Sequence, residues 1–265
     1  PLSRPVVITT MTDSFAVDGV RTVVTGASSG IGQAIAERFA SEGAPVAICS
    51  REQGNVDPVA DGITAEGGEA HAFECDVRDE EAVERFVADA AEAMGGIDCL
   101  VNNAGAGFMA NFEDISENGW ETIVETNLSG TRHCCVAAVE ELANGGGSII
   151  NLSTAGALQG FPYMSHYGAS KAGVINLTGS LSYEWAEKGI RVNCIAPGFV
   201  ATPGLASQMG ITAEEIDRTE VDRSVGLPSE IADVAQFLAS EAASFLTGET
   251  IVPRGKPDLM ESPET

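Results

Sequence analysis

Basic residues are scarce. The 265-residue chain carries 14 lysines and arginines against 39 aspartates and glutamates, a net charge of −25. Only three lysines occur: Lys171, Lys188 and Lys256. With no basic stripe to meet phosphates, nucleic-acid binding is disfavoured. The acidic residues are scattered rather than gathered in a tail. That reads as the hydrated surface of a protein from a salt-loving source, since net charge speaks to solubility and not to fold. Apolar runs long enough to span a bilayer are missing, so no membrane association is expected. The six cysteines (Cys49, Cys75, Cys99, Cys134, Cys135 and Cys194) show no C-x-x-C spacing, which argues against zinc and dithiol redox motifs. Cys49, Cys75, Cys99 and Cys194 lie in short apolar runs, where cysteine behaves as a small hydrophobe. Reduced thiols point to the cytoplasm. No linker rich in proline or serine divides the chain, and no repeat or low-complexity segment appears. The opening PLSRPVVITT lacks a basic region followed by a sustained apolar one, so no signal peptide is read. Residues 1–17 are assigned to a leader, 18–253 to one domain, and 254–265 to a loose tail.

What is present is an alternation. Short β-branched or apolar runs (TVVTG, PVAICS, EAHAFECDV, IDCLVNNAG, GSIINLS, IRVNCIAPG, GETIVP) are separated by segments with helical periodicity. Residues 116–143 and 165–187 read as two long helices. Strands alternating with helices imply an α/β fold with a parallel sheet covered on both faces. Hydrophobic residues at 44% and 30 glycines fit a chain with a sizeable core and many tight turns.

The first turn is rich in glycine. Gly26, Ser28, Ser29, Gly30, Ile31 and Gly32 lie between the first strand and an amphipathic helix. Glycines there let the backbone approach a pyrophosphate, and the helix N-terminus offers free N–H groups and a positive dipole end. That context makes the loop a strong dinucleotide-binding signal. The second strand ends in Ser50 and Arg51, where such a site selects its adenosine ribose. A neutral and a basic residue favour a 2′-phosphate, and so NADP(H) over NAD(H). Asp76 and Val77 end the third strand and are placed to flank the adenine. Asp76 could equally cap the following helix.

Tyr167 and Lys171 are four residues apart in a helical segment and share one face. An ammonium near a phenol favours phenolate and lowers its pKa. A tyrosine so tuned can give a proton to a carbonyl oxygen or take one from an alcohol.

Four motifs now stand in order: TGASSGIG at 25–32, NNAG at 102–105, YGASK at 167–171 and PGFVATP at 197–203. With them the chain resembles the short-chain dehydrogenases/reductases over about residues 18–252. The resemblance implies a single Rossmann-type, doubly wound domain with a seven-stranded parallel sheet of order 3-2-1-4-5-6-7, and a site at the carboxyl ends of its strands. It implies hydride transfer between a nicotinamide and a carbonyl or alcohol carbon. It assigns Tyr167 as acid/base, Lys171 to the nicotinamide ribose and to lowering the tyrosine pKa, and Asn127 to a proton-relay water. Asn103, Ala104 and Gly105 would line the middle of the cofactor. Pro197, Gly198, Val200 and Thr202 would flank the nicotinamide. No metal is implied, and a homotetramer built through the two long helices is.

The family's substrate-binding serine usually lies thirteen residues before the tyrosine. That position is Thr154, with Ser153 as the alternative. Successive strand residues face opposite ways, so only one can serve, and Thr154 is favoured. The family often ends its last strand in Asp-Gly-Gly, whereas this chain reads IVPRGKP. Pro253 and Pro257 are expected to limit pairing there.

Specificity should sit in residues 204–225 and 106–110. Phe108, Met109, Phe161, Tyr163, Met164, Leu205 and Met209 are candidate apolar lining. By family analogy the commonest substrate is a 3-oxoacyl thioester, yet Arg218 and Arg223 are the only basic residues in the 204–225 segment for its phosphates. A sugar or polyol dehydrogenase is the alternative, with His166, Gln159, Asn111 and Gln208 as polar contacts. A catalytically silent dinucleotide-binding regulator is the reading from another class. It predicts damage at Tyr167, Lys171 or Asn127, and none is damaged.

Overall fold

The computed structural model describes residues 13–255 apart from 211 and 221, and the side chains of 13, 208 and 209 are likewise not described. Lys256, the tail after it and most of the assigned leader therefore lie outside the described residues.

Seven strands form one sheet in the spatial order β3-β2-β1-β4-β5-β6-β9. These are β1 (Thr22–Thr25), β2 (Val46–Ser50), β3 (Ala70–Glu74), β4 (Cys99–Asn102), β5 (Gly147–Leu152), β6 (Ile190–Ile195) and β9 (Thr250–Ile251). Every pairing is parallel. The expected order is borne out. The seventh sheet strand is ninth along the chain because β7 (Phe199–Val200) and β8 (Val225–Gly226) pair separately as a short parallel ribbon.

The strand period of two sorts side chains onto two cores. Val24, Val46, Ile48 and Ile150 face α1 (Gly30–Ser41) and α8 (Pro228–Ala239), joined by Ile35, Phe39, Ile231 and Leu238. Val23, Ala47, Leu100 and Ile149 face the other way, toward α3 (Glu80–Met94) and α5 (Gly130–Ala143), with Phe86, Cys134 and Leu142. Each such side chain, fully buried, contributes about 1.5–3 kcal/mol. All six cysteines are free and buried, as small core residues. The last residues of the assigned leader pack on this domain. Val17 is 1% exposed, and the Phe15 ring lies 5.9 Å from that of Phe237.

Local chemistry sets the helix ends. Asp79 caps α3 by accepting from the Ala82 N–H at 3.1 Å, and Gly95 closes it at φ 77°. Helix α2 (Gln53–Ala65) begins directly after the β2 turn.

The largest departure is in the segment read as one helix over 116–143. It is α4 (Glu117–Val124), a π-turn (Glu125–Ser129) and then α5. The second long helix, α6 (Ser165–Glu184), runs as expected to a 3-10 turn closed by Gly189. At the C-terminus β9 is short, but pairing continues. Gly198 N–H donates to the Pro253 carbonyl at 2.9 Å, because proline lacks only the donor. Among the described residues no helix is long and apolar enough to cross a membrane, and no cluster of three or more His, Cys, Asp or Glu is placed to hold a metal.

Candidate active site

The glycine-rich loop joins β1 to α1 at the carboxyl edge of the sheet. Gly26 and Gly30 adopt φ 64° and 61°, a region L side chains rarely enter. A Cβ at Gly32 would lie 2.4 Å from Asn103 Nδ2 and 2.5 Å from the Gly26 carbonyl. The loop is thus packed directly on the segment after β4. Asn103 Nδ2 donates to the carbonyls of Thr25 at 3.0 Å and Gly26 at 2.9 Å. Thr25 Oγ1 in return accepts from the N–H groups of Asn103 and Ala104, each at 3.1 Å. Thr25 is a site residue that sequence reasoning did not single out, although it opens the TGASSGIG motif.

The start of α1 is open. Ser29 makes no side-chain capping bond, and no acidic residue occupies the first turn. These free N–H groups, beside glycines with no room for a Cβ, fit the pyrophosphate of a dinucleotide. Thr202 sits above them. It caps α7 (Pro203–Met209) by accepting from the Leu205 N–H at 3.2 Å, and its Cγ2 would be 3.1 Å from a Cβ on Gly30.

At the end of β2, Ser50 Oγ donates to the Glu52 carbonyl at 2.6 Å. Arg51 is exposed and makes no hydrogen bond or ion pair within the described residues. Asp76 does not cap the following helix, since Asp79 does. Its carboxylate instead takes Arg78, with Nη2–Oδ2 at 2.5 Å and Nε at 3.0 Å from each oxygen. The Arg78 side chain holds the Asp76 carboxyl below its ordinary range. Val77 is buried and packs against Gly130, where a Cβ would come within 2.7 Å of it. His133 Nδ1 lies 3.0 Å from the Val77 carbonyl, so α5 braces this corner.

Tyr167 and Lys171 lie on the first turns of α6. The Tyr167 ring stands edge-on to Phe161, with centroids 6.0 Å apart. Its other side meets Gly107, where a Cβ would be 2.9 Å from Tyr167 Cδ2 and 2.8 Å from Met164 Cε. Lys171 is 3% exposed, and its Nζ donates to the Leu152 carbonyl at 2.7 Å. Burial lowers the Lys171 pKa to about 8 and pushes the Tyr167 phenol up to about 12. The expected lowering of the phenol by the ammonium is therefore corrected. Lys171 is turned to a backbone carbonyl, and desolvation of the phenolate dominates.

Asn127 is fully buried in the π-turn. Its Oδ1 accepts from the Ala106 N–H at 2.9 Å, and its Nδ2 donates to the Ala106 carbonyl at 2.9 Å and to Ser170 Oγ at 3.0 Å. Asn127 was expected to hold a relay water. Here it clamps the backbone after NNAG, and Ala106 and Ser170 are the partners the sequence did not disclose. A Cβ on Gly105 would lie 3.0 Å from Asn127 Oδ1 and 3.3 Å from Lys171 Nζ, so these groups converge on one point. Below them β4 and β5 share a buried polar pair. Asn102 Nδ2 donates to Asn151 Oδ1 at 2.9 Å, and Asn151 Nδ2 donates to Thr178 Oγ1 at 2.9 Å.

The two candidate hydroxyls differ sharply. Ser153 is 6% exposed, and its Oγ donates to the Lys171 carbonyl at 2.8 Å. Thr154 is half-buried, with long contacts to the Pro197 carbonyl at 3.5 Å and the Gly156 N–H at 3.4 Å. Of the polar contacts expected for a polyol, His166 is fully buried beneath Phe108, with ring centroids 4.3 Å apart. Asn111 donates to Asp114 at 2.9 Å. The side chains of Gln208 and Met209 lie outside the described residues.

The chain as a whole is similar to known proteins. A family model described as enoyl-(acyl carrier protein) reductase matches residues 26–255. The chain is 38% identical over 243 residues to bovine dehydrogenase/reductase SDR family member 4, covering 90% of this chain and 87% of that protein. A crystal structure of a short-chain alcohol dehydrogenase from Sinorhizobium meliloti superposes with a TM-score of 0.83 at 40% identity, covering 91% of this chain and 97% of that one. A short-chain type dehydrogenase/reductase from Mycobacterium marinum gives 0.84 at 33% identity, covering 93% and 98%.

Proposed function

The chain belongs to the short-chain dehydrogenase/reductase family of NAD(P)-dependent oxidoreductases, and from that premise we propose that it interconverts a ketone and a secondary alcohol with Tyr167 as general acid/base. The observation that carries this reading is the Tyr167 slot. A phenol walled by Phe161 and Gly107 stands one helical turn from a buried lysine, at the same edge of the sheet as the open start of α1. When bound, the nicotinamide supplies or accepts the hydride. A phenol is protonated at neutral pH, and burial pushes that of Tyr167 further up; the protonated form is the one that gives a proton to a carbonyl oxygen. Lys171 supports the nicotinamide ribose. Gly26 and residues 28–32 hold the pyrophosphate, and Asn103, Ala104 and Gly105 the middle of the cofactor. Asp76 and Val77 flank the adenine, and Pro197, Gly198, Val200 and Thr202 the nicotinamide.

Thr154 is the hydroxyl that polarises the substrate carbonyl. The support is its partner's commitment: Ser153 already donates to the Lys171 carbonyl. A threonine hydroxyl has the same donor and acceptor capacity as serine. The regulator reading fits poorly, because Tyr167, Lys171 and Asn127 occupy one connected site.

NADP(H) is the preferred cofactor, on the strength of the unpaired Arg51 and the absence of a carboxylate at Ser50. Arg51→Glu is expected to weaken NADPH roughly 10–100-fold, the size of a lost charge-assisted hydrogen bond, and to leave NADH nearly unchanged. Fluorescence titration with both nucleotides checks this. Equal losses for the two would refute the assignment.

We also read the chain as a cytoplasmic homotetramer from a salt-rich source, assembled through α5 and α6. Val136 and Tyr183 leave large apolar surface exposed on those helices. Light scattering in molar KCl should give the mass of four chains. A one-chain mass would overturn the assembly.

A further inference from the structure

Building on the ketone reading of Tyr167, we infer that the substrate is a neutral, largely apolar ketone gripped by an apolar rim, and that coenzyme-A-linked and carrier-linked acyl thioesters are disfavoured. Two independent observations converge on this.

The first is the placement of exposed apolar side chains. Ten large ones are exposed among the described residues, and six of them (Phe108, Met109, Phe112, Leu158, Tyr163 and Phe199) follow β4, β5 or β6 at the carboxyl edge of the sheet. Met109 is 64% exposed and Tyr163 60%. A chain with 39 acidic residues has ample polar surface, yet it concentrates apolar surface around its site. The two lips of this rim are fastened to each other. The Ala110 N–H donates to the Tyr163 carbonyl at 2.9 Å, joining the loop after β4 to the loop before α6. Tyr163 is the one non-glycine residue at positive φ among those described, at 62°. An aromatic residue held there at a steric cost marks a position the site requires. The same two loops supply Gly107 and Phe161, which wall the Tyr167 ring.

The second observation is where the cations went. A pantetheine phosphate or a coenzyme A needs a guanidinium or ammonium at the mouth. Arg218 lies 3.8 Å from Glu230 and 3.6 Å from Asp233. Arg223 pairs with Glu230 and donates to the carbonyls of Arg218 at 2.8 Å and Glu220 at 3.0 Å. Asp233 also takes Arg38 at 2.8 Å. Both arginines of the substrate segment therefore face carboxylates of α8, Arg223 closely and Arg218 loosely from an exposed position. Arg254 is exposed and unpaired among the described residues. It packs on Gly198 and lines a hollow of about 140 Å³ with Phe199, Val200 and Glu230, so a phosphate at that guanidinium would also meet a carboxylate. An acidic carrier protein would in addition meet a chain of charge −25.

The test measures kcat/KM with NADPH for acetophenone, 2-octanone, acetone, acetoacetyl-coenzyme A and a keto-sugar. The measurement covers the native protein and Met109→Gln, Leu158→Gln and Tyr163→Asn variants. Asparagine tolerates positive φ, so the backbone of the last variant is preserved. Acetophenone and 2-octanone are expected to lead the panel. Each rim variant should lower them roughly tenfold, the size of a lost apolar contact at a site, and spare acetone. Acetoacetyl-coenzyme A or the keto-sugar leading would overturn the inference and leave the ketone chemistry standing. Variants that change the scattering mass without changing the ranking would assign the rim to a subunit contact and also overturn it. No turnover of any carbonyl, with NADPH still bound, would remove the ketone reading itself.

Discussion

Tyr167→Phe is expected to lower kcat/KM by roughly 10²–10⁴-fold, the range attributed to one positioned acid/base group. The substitution removes a single oxygen. The ring keeps its edge-on contact with Phe161 and its fit against Gly107. The phenol makes no hydrogen bond within the described residues, so its loss should leave thermal stability nearly unchanged, and dinucleotide binding should persist. Activity and binding thus separate, which is the signature of a proton donor and not of a packing residue. The measurement is steady-state kinetics beside fluorescence titration of NADPH. A variant that keeps a tenth or more of its activity would show that another group supplies the proton, and Thr154 would then be tested by Thr154→Val.

The pH behaviour follows from the same burial. Lys171 has a folded pKa of about 8, below its ordinary 10.5, because its charge is desolvated. A buried ammonium is least costly once it is neutral. Stability of the free protein should therefore rise as pH climbs from about 8 toward the unfolded value, and the full penalty applies below about 8.

Much of the fold was legible because its signals are local. A parallel sheet buried on both faces leaves continuous apolar runs such as Val46–Ser50, buried at every position. Glycines at 26, 30 and 32 announced the phosphate loop: Gly26 and Gly32 face atoms that a Cβ would not clear, and Gly26 and Gly30 take positive φ. Tyr167 and Lys171 were visible from helical spacing alone. What stayed hidden depends on contacts distant in sequence. Nothing near Lys171 predicts that its ammonium turns to the Leu152 carbonyl, nineteen residues back, leaving the phenol to burial. Asp76 is a local exception: its partner Arg78 lies only two residues on, but the sequence does not show that the guanidinium folds back onto the carboxylate. The extent of β9 was hidden for a related reason. Proline at 253 was weighed as a lost donor, but the pairing there uses its carbonyl. The π-turn was invisible because ETNLS has an ordinary helical composition, and only tertiary packing selects the wider turn.

That turn sets up the second large effect. A π-turn inserts one residue into the helical register, which rotates everything after it by about 100°. With the insertion, Ile123 before the turn, Asn127 within it, and Thr131 and Cys134 after it are all buried. Asn127 reaches both backbone groups of Ala106 and the Ser170 hydroxyl, and Thr131 Oγ1 donates to the Asn127 carbonyl at 2.9 Å. Asn127→Leu keeps the branching and heavy-atom count but strips the Ala106 N–H and carbonyl of their partners. A buried group left so costs about 1–3 kcal/mol, and Ala106, being partly buried, falls toward the lower end. The melting temperature should fall by roughly 5–20 °C, at about 2–4 °C per kcal/mol for a chain of this size. Activity should fall further than stability explains. Ala106 follows the Gly105 backbone, on which Asn127 and Lys171 converge, and misplacement of about 1 Å at a reacting centre can cost on the order of 10² in rate. The decisive comparison is kcat measured well below the variant's melting temperature, set against that of a core variant such as Ile149→Ala brought to the same stability. A kcat loss in Asn127→Leu alone assigns Asn127 to positioning the site. Equal kcat in the two variants would make the π-turn a packing device and nothing more.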